Sequence, residues 1–476
     1  MMKRMNAMLA IAVMVGISAN AEVKLPAFFS NNMVMQQQTE CNLWGTADAN
    51  HQVRIVTGWD KKTYKVSADN KGAWKLQVQT PKAGGPYTIT FDDGKEKRLD
   101  NILIGELWLC SGQSNMEMPM KGFKNQPVEG ANDACLDSKN DNIRLFTVKR
   151  NSTIEPQYDV EGTWEKACPE TVREFSATAY YFGKMLNKNL NVPVGLIVSA
   201  WGGSACEAWM KADWLKAFPS AKIPQSQDDI NKSKNRTPTG LYNAMLHPLI
   251  GMTIRGVIWY QGEDNWNRAS TYADMFTKMV NGWREEWKQG DFPFYYCQIA
   301  PYDYGIITSA GQDTINSAFL REQQSRAELR LKNSGMVVLM DAGLEKGIHP
   351  MKKQVAGERL ARLALVKTYG INGITAESPY YKNIEIHNDT VTVLFERADM
   401  WINCHGSFES KNFEVAGADK KFYPAKAWIY RSKMMVKSDK VKNPIAVRYA
   451  FKNYADGDVF CEDLPLSSFR SDDWNK

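Results

Sequence analysis

The stretch LCSGQSNMEMPM, residues 109–120, decides how the whole chain is read. A largely apolar run over residues 102–110 stops abruptly in Ser111-Gly112-Gln113-Ser114-Asn115. Strands with one wet face alternate apolar and polar residues; strands of a parallel sheet, covered on both faces, are apolar nearly throughout. Residues 102–110 are of the second kind, and small polar residues follow at once.

Similar runs recur at 192–199, 256–260, 292–299 and 336–340. Amphipathic segments at 175–190, 272–287, 315–331 and 352–369 lie among them. Strands separated by helices predict an α/β fold with a parallel sheet sandwiched between helical layers. In such sheets ligands bind beyond the carboxyl ends of the strands. Residues 22–100 read differently. Tyr64 and Val66, then Trp74, Leu76 and Val78, then Tyr87, Ile89 and Phe91 alternate with polar neighbours, with turn residues at 69–72 and 92–94. That pattern predicts antiparallel strands in a small sandwich. Residues 119–170 interrupt the strand–helix alternation. They are rich in Asn, Asp, Lys and Pro, with one strand-like stretch at 143–148, and read as an insertion near the substrate side. Residues 376–476 return to β alternation.

Residues 1–21 have a charged start (Lys3, Arg4), an apolar stretch at 8–17 and a small-x-small site, Ala19-Asn20-Ala21. This predicts a cleaved signal peptide and a soluble periplasmic or secreted chain beginning near Glu22. The apolar stretch is shorter than the ~20 residues a membrane span needs, and no other run is long enough. The formal charge is +6, or +4 without Lys3 and Arg4 (6 − 2), too mild and too scattered for nucleic acid. The eight cysteines contain no C-x-x-C pair, so zinc is not indicated. Some could pair in an oxidising compartment, Cys135 with Cys168 first among them, while most read as buried small hydrophobes.

The loops after the strands carry the chemistry. They are Ser111-Gly112-Gln113-Ser114-Asn115-Met116, Ala200-Trp201-Gly202-Gly203-Ser204, Gln261-Gly262-Glu263-Asp264-Asn265, and Asp341-Ala342-Gly343 leading to Ile348-His349-Pro350. A purely structural sheet needs only turn residues there. Acyl transfer needs a nucleophile, a base and oxyanion donors. Ser114 offers a hydroxyl just past a strand, although a lone serine in a turn is most often inert. It lies outside a G-x-S-x-G elbow, so an α/β-hydrolase fold is not implied. Of the five histidines, His51, His387 and His405 fall in the β-rich flanks and His247 in a helical run. His349 follows the last parallel strand and precedes a helix, the position of a base; the plainer reading is a helix-entry residue before Pro350. The Ser114 amide, Gly202 or Gly203, and the Gln261 side chain can supply oxyanion donors.

In this order GQSNM, Trp-Gly-Gly-Ser, WYQGEDN and IHP resemble the sialate O-acetylesterases and related carbohydrate acetylesterases of the SGNH-hydrolase superfamily. The likeness extends to Asn32-Met33-Val34-Met35-Gln36, Phe175-Ser176-Ala177-Thr178, Leu241-Tyr242-Asn243, Arg321-Glu322-Gln323-Gln324, Leu464-Pro465 and Phe469-Arg470. It implies a three-layer α/β/α hydrolase domain at 101–375, flanked by β-rich parts at 22–100 and 376–476. The implied nucleophile is Ser114 and the base His349. The oxyanion donors fall on Ser114, Gly203 (or Gly202) and Gln261, with Glu263 and Asn265 shaping the loop. The implied reaction removes O-acetyl groups from sugars, sialic acid being the named substrate, with no metal or organic cofactor. Many relatives carry an aspartate two or three residues before the histidine, where this chain has Gly347 and Lys346. The imidazole must then be oriented by Asp341, by Glu345 or by a backbone carbonyl. Two other functions remain open on the sequence. One is an acetylesterase for a plant polysaccharide such as acetylxylan. The other is a non-catalytic carbohydrate binder, which 15 tryptophans permit.

Overall fold

A computed structural model of the chain describes residues 22–308 and 316–474. The expected signal peptide, residues 1–21, lies outside the described residues. The centre is a mixed α/β unit built on seven strands: β1 (Glu96–Gly112), β2 (Asn140–Thr147), β3 (Trp164–Ala167), β4 (Val194–Ala200), β5 (Gly256–Tyr260), β6 (Phe294–Cys297) and β7 (Ser334–Val337). Their spatial order is β7-β6-β5-β1-β4-β2-β3. Every neighbouring pair is parallel except the edge pair β2–β3.

The near-continuous apolar character of these strands is used on both faces. On one face Trp108, Leu196, Ile258 and Tyr295 pack against Phe182 and Leu186 of α2 (Ala177–Leu190) and Leu360 and Ala364 of α5 (Lys353–Lys367). On the other, Leu109, Ile197, Val257 and Phe294 pack against Phe276, Met279 and Trp283 of α3 (Tyr272–Trp287), and Met336 joins the same cluster as Leu320 of α4 (Ala318–Glu328). Successive residues of a strand point to opposite faces, so an all-apolar strand is what two buried faces require. Helix α1 (Ser114–Glu117) is a single turn just beyond the end of β1.

Residues 119–170 are more than an inserted loop. β2 lies in this segment and pairs in parallel with β4, so the segment extends the sheet. Its isolated apolar stretch had to be buried against something, and the open edge of β4 accepts it. β1 is long because its first half belongs elsewhere: residues 96–104 pair antiparallel with Gly84–Asp92, and Gly84–Asp92 pairs with Gln52–Thr57. A second antiparallel ladder, Glu40–Thr46 with Ala73–Gln79, belongs to the same apolar cluster, with Trp74 and Phe91 rings 5.9 Å apart. The C-terminal residues form small antiparallel sheets. Arg470 on Glu322 and Arg397 on Glu328 fasten them to α4. All eight cysteines are free thiols, including Cys135 and Cys168, which the sequence reading put forward as a pair. No helix among the described residues is long and apolar enough to cross a membrane.

Candidate active site

The sheet places three loops side by side. Gly112 at the end of β1 is in register with Ala200 of β4 on one side and Tyr260 of β5 on the other. The chain leaves β1 toward β2 and β4 and later returns to the opposite flank at β5. The crevice therefore opens at the carboxyl end of β1, where strand order reverses.

The turn after β1 depends on one glycine. Gly112 has φ 136°, and a Cβ there would sit 2.1 Å from the Tyr260 carbonyl oxygen. The Gln113 amide donates to the Tyr260 carbonyl at 2.9 Å. The Gln113 side-chain oxygen accepts from the Gly262 and Asp264 amides, each at 3.2 Å. Ser114 then opens α1. The next carbonyls are held by the start of α2: Thr178 donates to Asn115 O at 3.0 Å and Ser176 to Met116 O at 2.6 Å. The turn of the nucleophile candidate is thus fixed by one main-chain bond, by the Gln113 side chain on the loop after β5, and by two hydroxyls that hold its carbonyls.

Ser114 and His349 line one cleft of about 590 Å³, together with Gly202, Gly203, Glu117 and Phe123. A Cβ on Gly202 would lie 3.3 Å from Ser114 Cβ, so the loop after β4 rests directly on the serine. No hydrogen bond joins Ser114 Oγ to His349 in the described residues, and such bonds commonly close only on a bound substrate. The imidazole stands edge-on to Phe123, with centroids 5.1 Å apart, and its Nδ1 is hydrogen-bonded to the Gln126 side-chain oxygen. Burial first, and then the Lys353 charge, push the His349 pKa down to about 4. The ring is therefore neutral at neutral pH. Because an amide oxygen only accepts, Nδ1 carries the proton and Nε2 keeps its lone pair.

Two expected roles are corrected. Asp341 does not orient the imidazole. Arg359 of α5 takes both its oxygens, at 2.7 and 2.6 Å. A carboxylate at a strand end pairs with the nearest guanidinium in fork geometry, and here that lies on α5. Gln261 does not donate into the cleft either. Its Nε2 is bonded to Ser204 O (3.1 Å) and Asn265 Oδ1 (2.7 Å), and its Oε1 accepts from Tyr272 (2.9 Å). Both amide hydrogens are spent inside a fully buried site. The two glycines also separate. The Gly202 amide donates to Glu117 at 2.8 Å, whereas the amides of Ser114 and Gly203 have no acceptor among the described residues. Asn265 sits at the centre of its loop. It accepts from the Cys206 amide at 2.9 Å and donates to Glu207 at 2.9 Å.

Beneath the cleft lies a buried network of which the sequence pointed to Glu263 alone. Asn115 accepts from the Lys353 ammonium at 2.5 Å and donates to Glu263 at 2.5 Å and to the Ile348 carbonyl at 3.2 Å. One side chain so ties the serine turn, the β5 loop and the histidine loop. Burial lowers the Lys353 pKa to about 7 against the opposing pull of Glu263. Burial also raises Glu263, with Asn115 among the groups opposing it. Around the rim three arginines pair with acids: Arg150 with Glu117, Arg236 with Asp264 and Arg268 with Glu207. Asn115 directly follows Ser114 in the polar turn after β1. Gln126, Phe123 and Lys353 carried no sequence signal. Among the described residues no group of three or more His, Cys, Asp or Glu side chains is placed to hold a metal ion.

Comparison with known proteins finds carbohydrate esterases. A family model described as "Carbohydrate esterase, sialic acid-specific acetylesterase" matches residues 104–365. The human sialate O-acetylesterase is 30% identical over 406 residues, covering 78% of this chain and 75% of the human protein. The rat sialate O-acetylesterase is 28% identical over 457 residues, 82% of each chain. The crystal structure of a carbohydrate acetylesterase from Xanthomonas citri superposes with a TM-score of 0.86 at 33% identity, covering 95% of this chain and all of that one.

Proposed function

The chain belongs to the sialic acid-specific acetylesterase family of carbohydrate esterases, and from that premise we propose a serine esterase that removes O-acetyl groups from sugars by two-step acyl transfer. The observation that carries the mechanism is the shared cleft of Ser114 and His349 at the strand ends. Ser114 Oγ attacks the acetyl carbonyl while His349 Nε2 takes its proton. The free amides of Ser114 and Gly203 receive the oxyanion, since donors fixed by the fold need no reorganisation as charge develops. His349 returns the proton to the departing sugar hydroxyl. Water, deprotonated by the same imidazole, attacks the acetyl carbonyl on Ser114; the bond to Oγ breaks, acetate leaves and His349 returns the proton to Ser114 Oγ.

The central sheet with helices on both faces is read as the three-layer SGNH-type hydrolase domain, 101–375, between β-rich parts at 22–100 and 376–476. A signal peptide over residues 1–21 and a periplasmic or secreted location complete the reading; sequencing the N-terminus of the mature protein tests them. O-acetylated sialic acid is the substrate the family description favours.

Ser114→Ala is expected to abolish turnover of an aryl acetate, and an organophosphonate is expected to label Ser114 in the parent protein. Turnover that survives in the variant defeats the serine mechanism. An unlabelled, inactive parent points instead to a carbohydrate binder. Acetate release from O-acetylated sialic acid and from acetylxylan, measured side by side, decides the substrate.

A further inference from the structure

Taking that esterase reading as its basis, we propose that Gln126 is the positioning residue of the site, its side-chain carbonyl doing for His349 what a carboxylate does in a Ser-His-Asp arrangement. The contact is direct: Gln126 Oε1 lies on His349 Nδ1. No carboxylate among the described residues bonds to either ring nitrogen. Asp341 is held by Arg359, Glu117 by Arg150 and the Gly202 amide, and Glu345 is exposed.

The segment carrying Gln126 is built to hold that contact. Phe123 and Gln126 exchange two backbone hydrogen bonds, each of 3.0 Å, closing a tight loop. Before it, the Met120 amide donates to the Phe175 carbonyl (2.9 Å) and the Lys121 amide to the Arg173 carbonyl (3.0 Å). After it, the Glu129 amide donates to the Met351 carbonyl at 3.0 Å, two residues beyond the histidine. The loop is thus pinned on one side to the chain just before α2 and on the other to the histidine loop. Its tip presents Phe123 to the ring edge and Gln126 to the ring nitrogen.

A neutral acceptor has a chemical consequence. It selects the tautomer with Nε2 free, as a carboxylate would. It leaves the imidazolium formed during attack stabilised by a dipole instead of a full charge. The ionisable groups around the ring are Lys353 on α5 behind it and, across the cleft, Glu117 of α1, Glu263 and Asp264 of the β5 loop, and the rim arginines 150, 236 and 268. Lys353 opposes protonation of the ring; the others act mainly on one another or on Asn115.

The test measures kcat/KM against pH for the parent, Gln126→Ala and Gln126→Glu, with Ser114→Ala as the inactive reference. Gln126→Ala is expected to lower kcat/KM by about 10- to 150-fold, the weight of one hydrogen bond to a group that becomes charged. Gln126→Glu, almost the same shape, sets an anion against the imidazolium. Its acidic limb is expected to move about 1–3 pH units upward while activity at neutral pH is retained. A limb that stays in place in Gln126→Glu, with an unimpaired Gln126→Ala, overturns the assignment of Gln126 alone. Turnover by Ser114→Ala overturns the underlying esterase reading, and this proposal with it.

Discussion

The turn that carries Ser114 and the loop that carries His349 reach the same cleft by different means. Ser114 follows a central strand without a break, and the main chain around it is fixed by a backbone bond to Tyr260 and by the Ser176 and Thr178 hydroxyls on its carbonyls. His349 stands well beyond the end of β7. Side chains from elsewhere hold its ring: Phe123 and Gln126 from residues 119–170. The first half of the site is an outcome of sheet geometry. The second is an outcome of which side chains happen to meet. Substitutions should therefore break the two halves differently.

The largest effect is expected where the halves join. Asn115→Ala removes the acceptor of a buried ammonium, the donor to a buried carboxylate and the bond to the Ile348 carbonyl together. Bonds to charged groups are worth about 1.5–3 kcal/mol each, so the loss should reach about 3 kcal/mol or more. A urea titration followed by tryptophan fluorescence reads it as a lower midpoint, and kcat should fall with it. A stable variant that is merely slow would show that the two loops are positioned independently.

The same contrast explains how much was legible in the sequence. The parallel strands could be read because burial on both faces demands continuous apolar runs, and β5 and α3 fall on residues 256–260 and 272–287 as expected. Ser114 could be singled out because a strand end is visible as a change from apolar to small polar residues. Asp341 and Gln261 also follow strands, and the same rule misled there. Position in the loop does not say where a side chain turns. Arg359, one helix later in the chain, claims the carboxylate, and Tyr272, Ser204 and Asn265 claim every polar atom of the amide. Gln126 was invisible for the converse reason. It lies more than two hundred residues from His349 in a segment with no periodicity, and only the closed fold brings the two together.

A smaller effect is expected from pH in the unaltered protein. His349 is pushed down to about 4, by burial first and by Lys353 second. A base whose conjugate acid has so low a pKa remains available as pH falls through the ordinary histidine range near 6.5. The acidic limb of kcat/KM, which reports the free enzyme, should therefore lie near pH 4. A limb near 6.5 would mean that the ring is as hydrated as a free imidazole, and that Phe123 and Gln126 do not enclose it in solution.

The smallest effect on chemistry is expected at Asp341. Asp341→Asn keeps the shape and removes the charge facing Arg359, whose side chain is 8% exposed. Arg359 still donates to the Val338 carbonyl at 2.9 Å and the Asp463 carbonyl at 3.2 Å, so it is not left without acceptors. Stability should fall by about 1–3 kcal/mol, the range for one weakened charge-assisted contact. The acidic limb should stay where it is and kcat/KM should remain within roughly threefold, because nothing on the imidazole changes. An aspartate that holds a catalytic histidine in its tautomer behaves otherwise: its amide costs about 10⁴ in rate. A loss of that order in Asp341→Asn would return the carboxylate to the site. It would also mean that Arg359 releases Asp341 when substrate binds, so that the base loop, like the serine turn, is organised from a strand end after all.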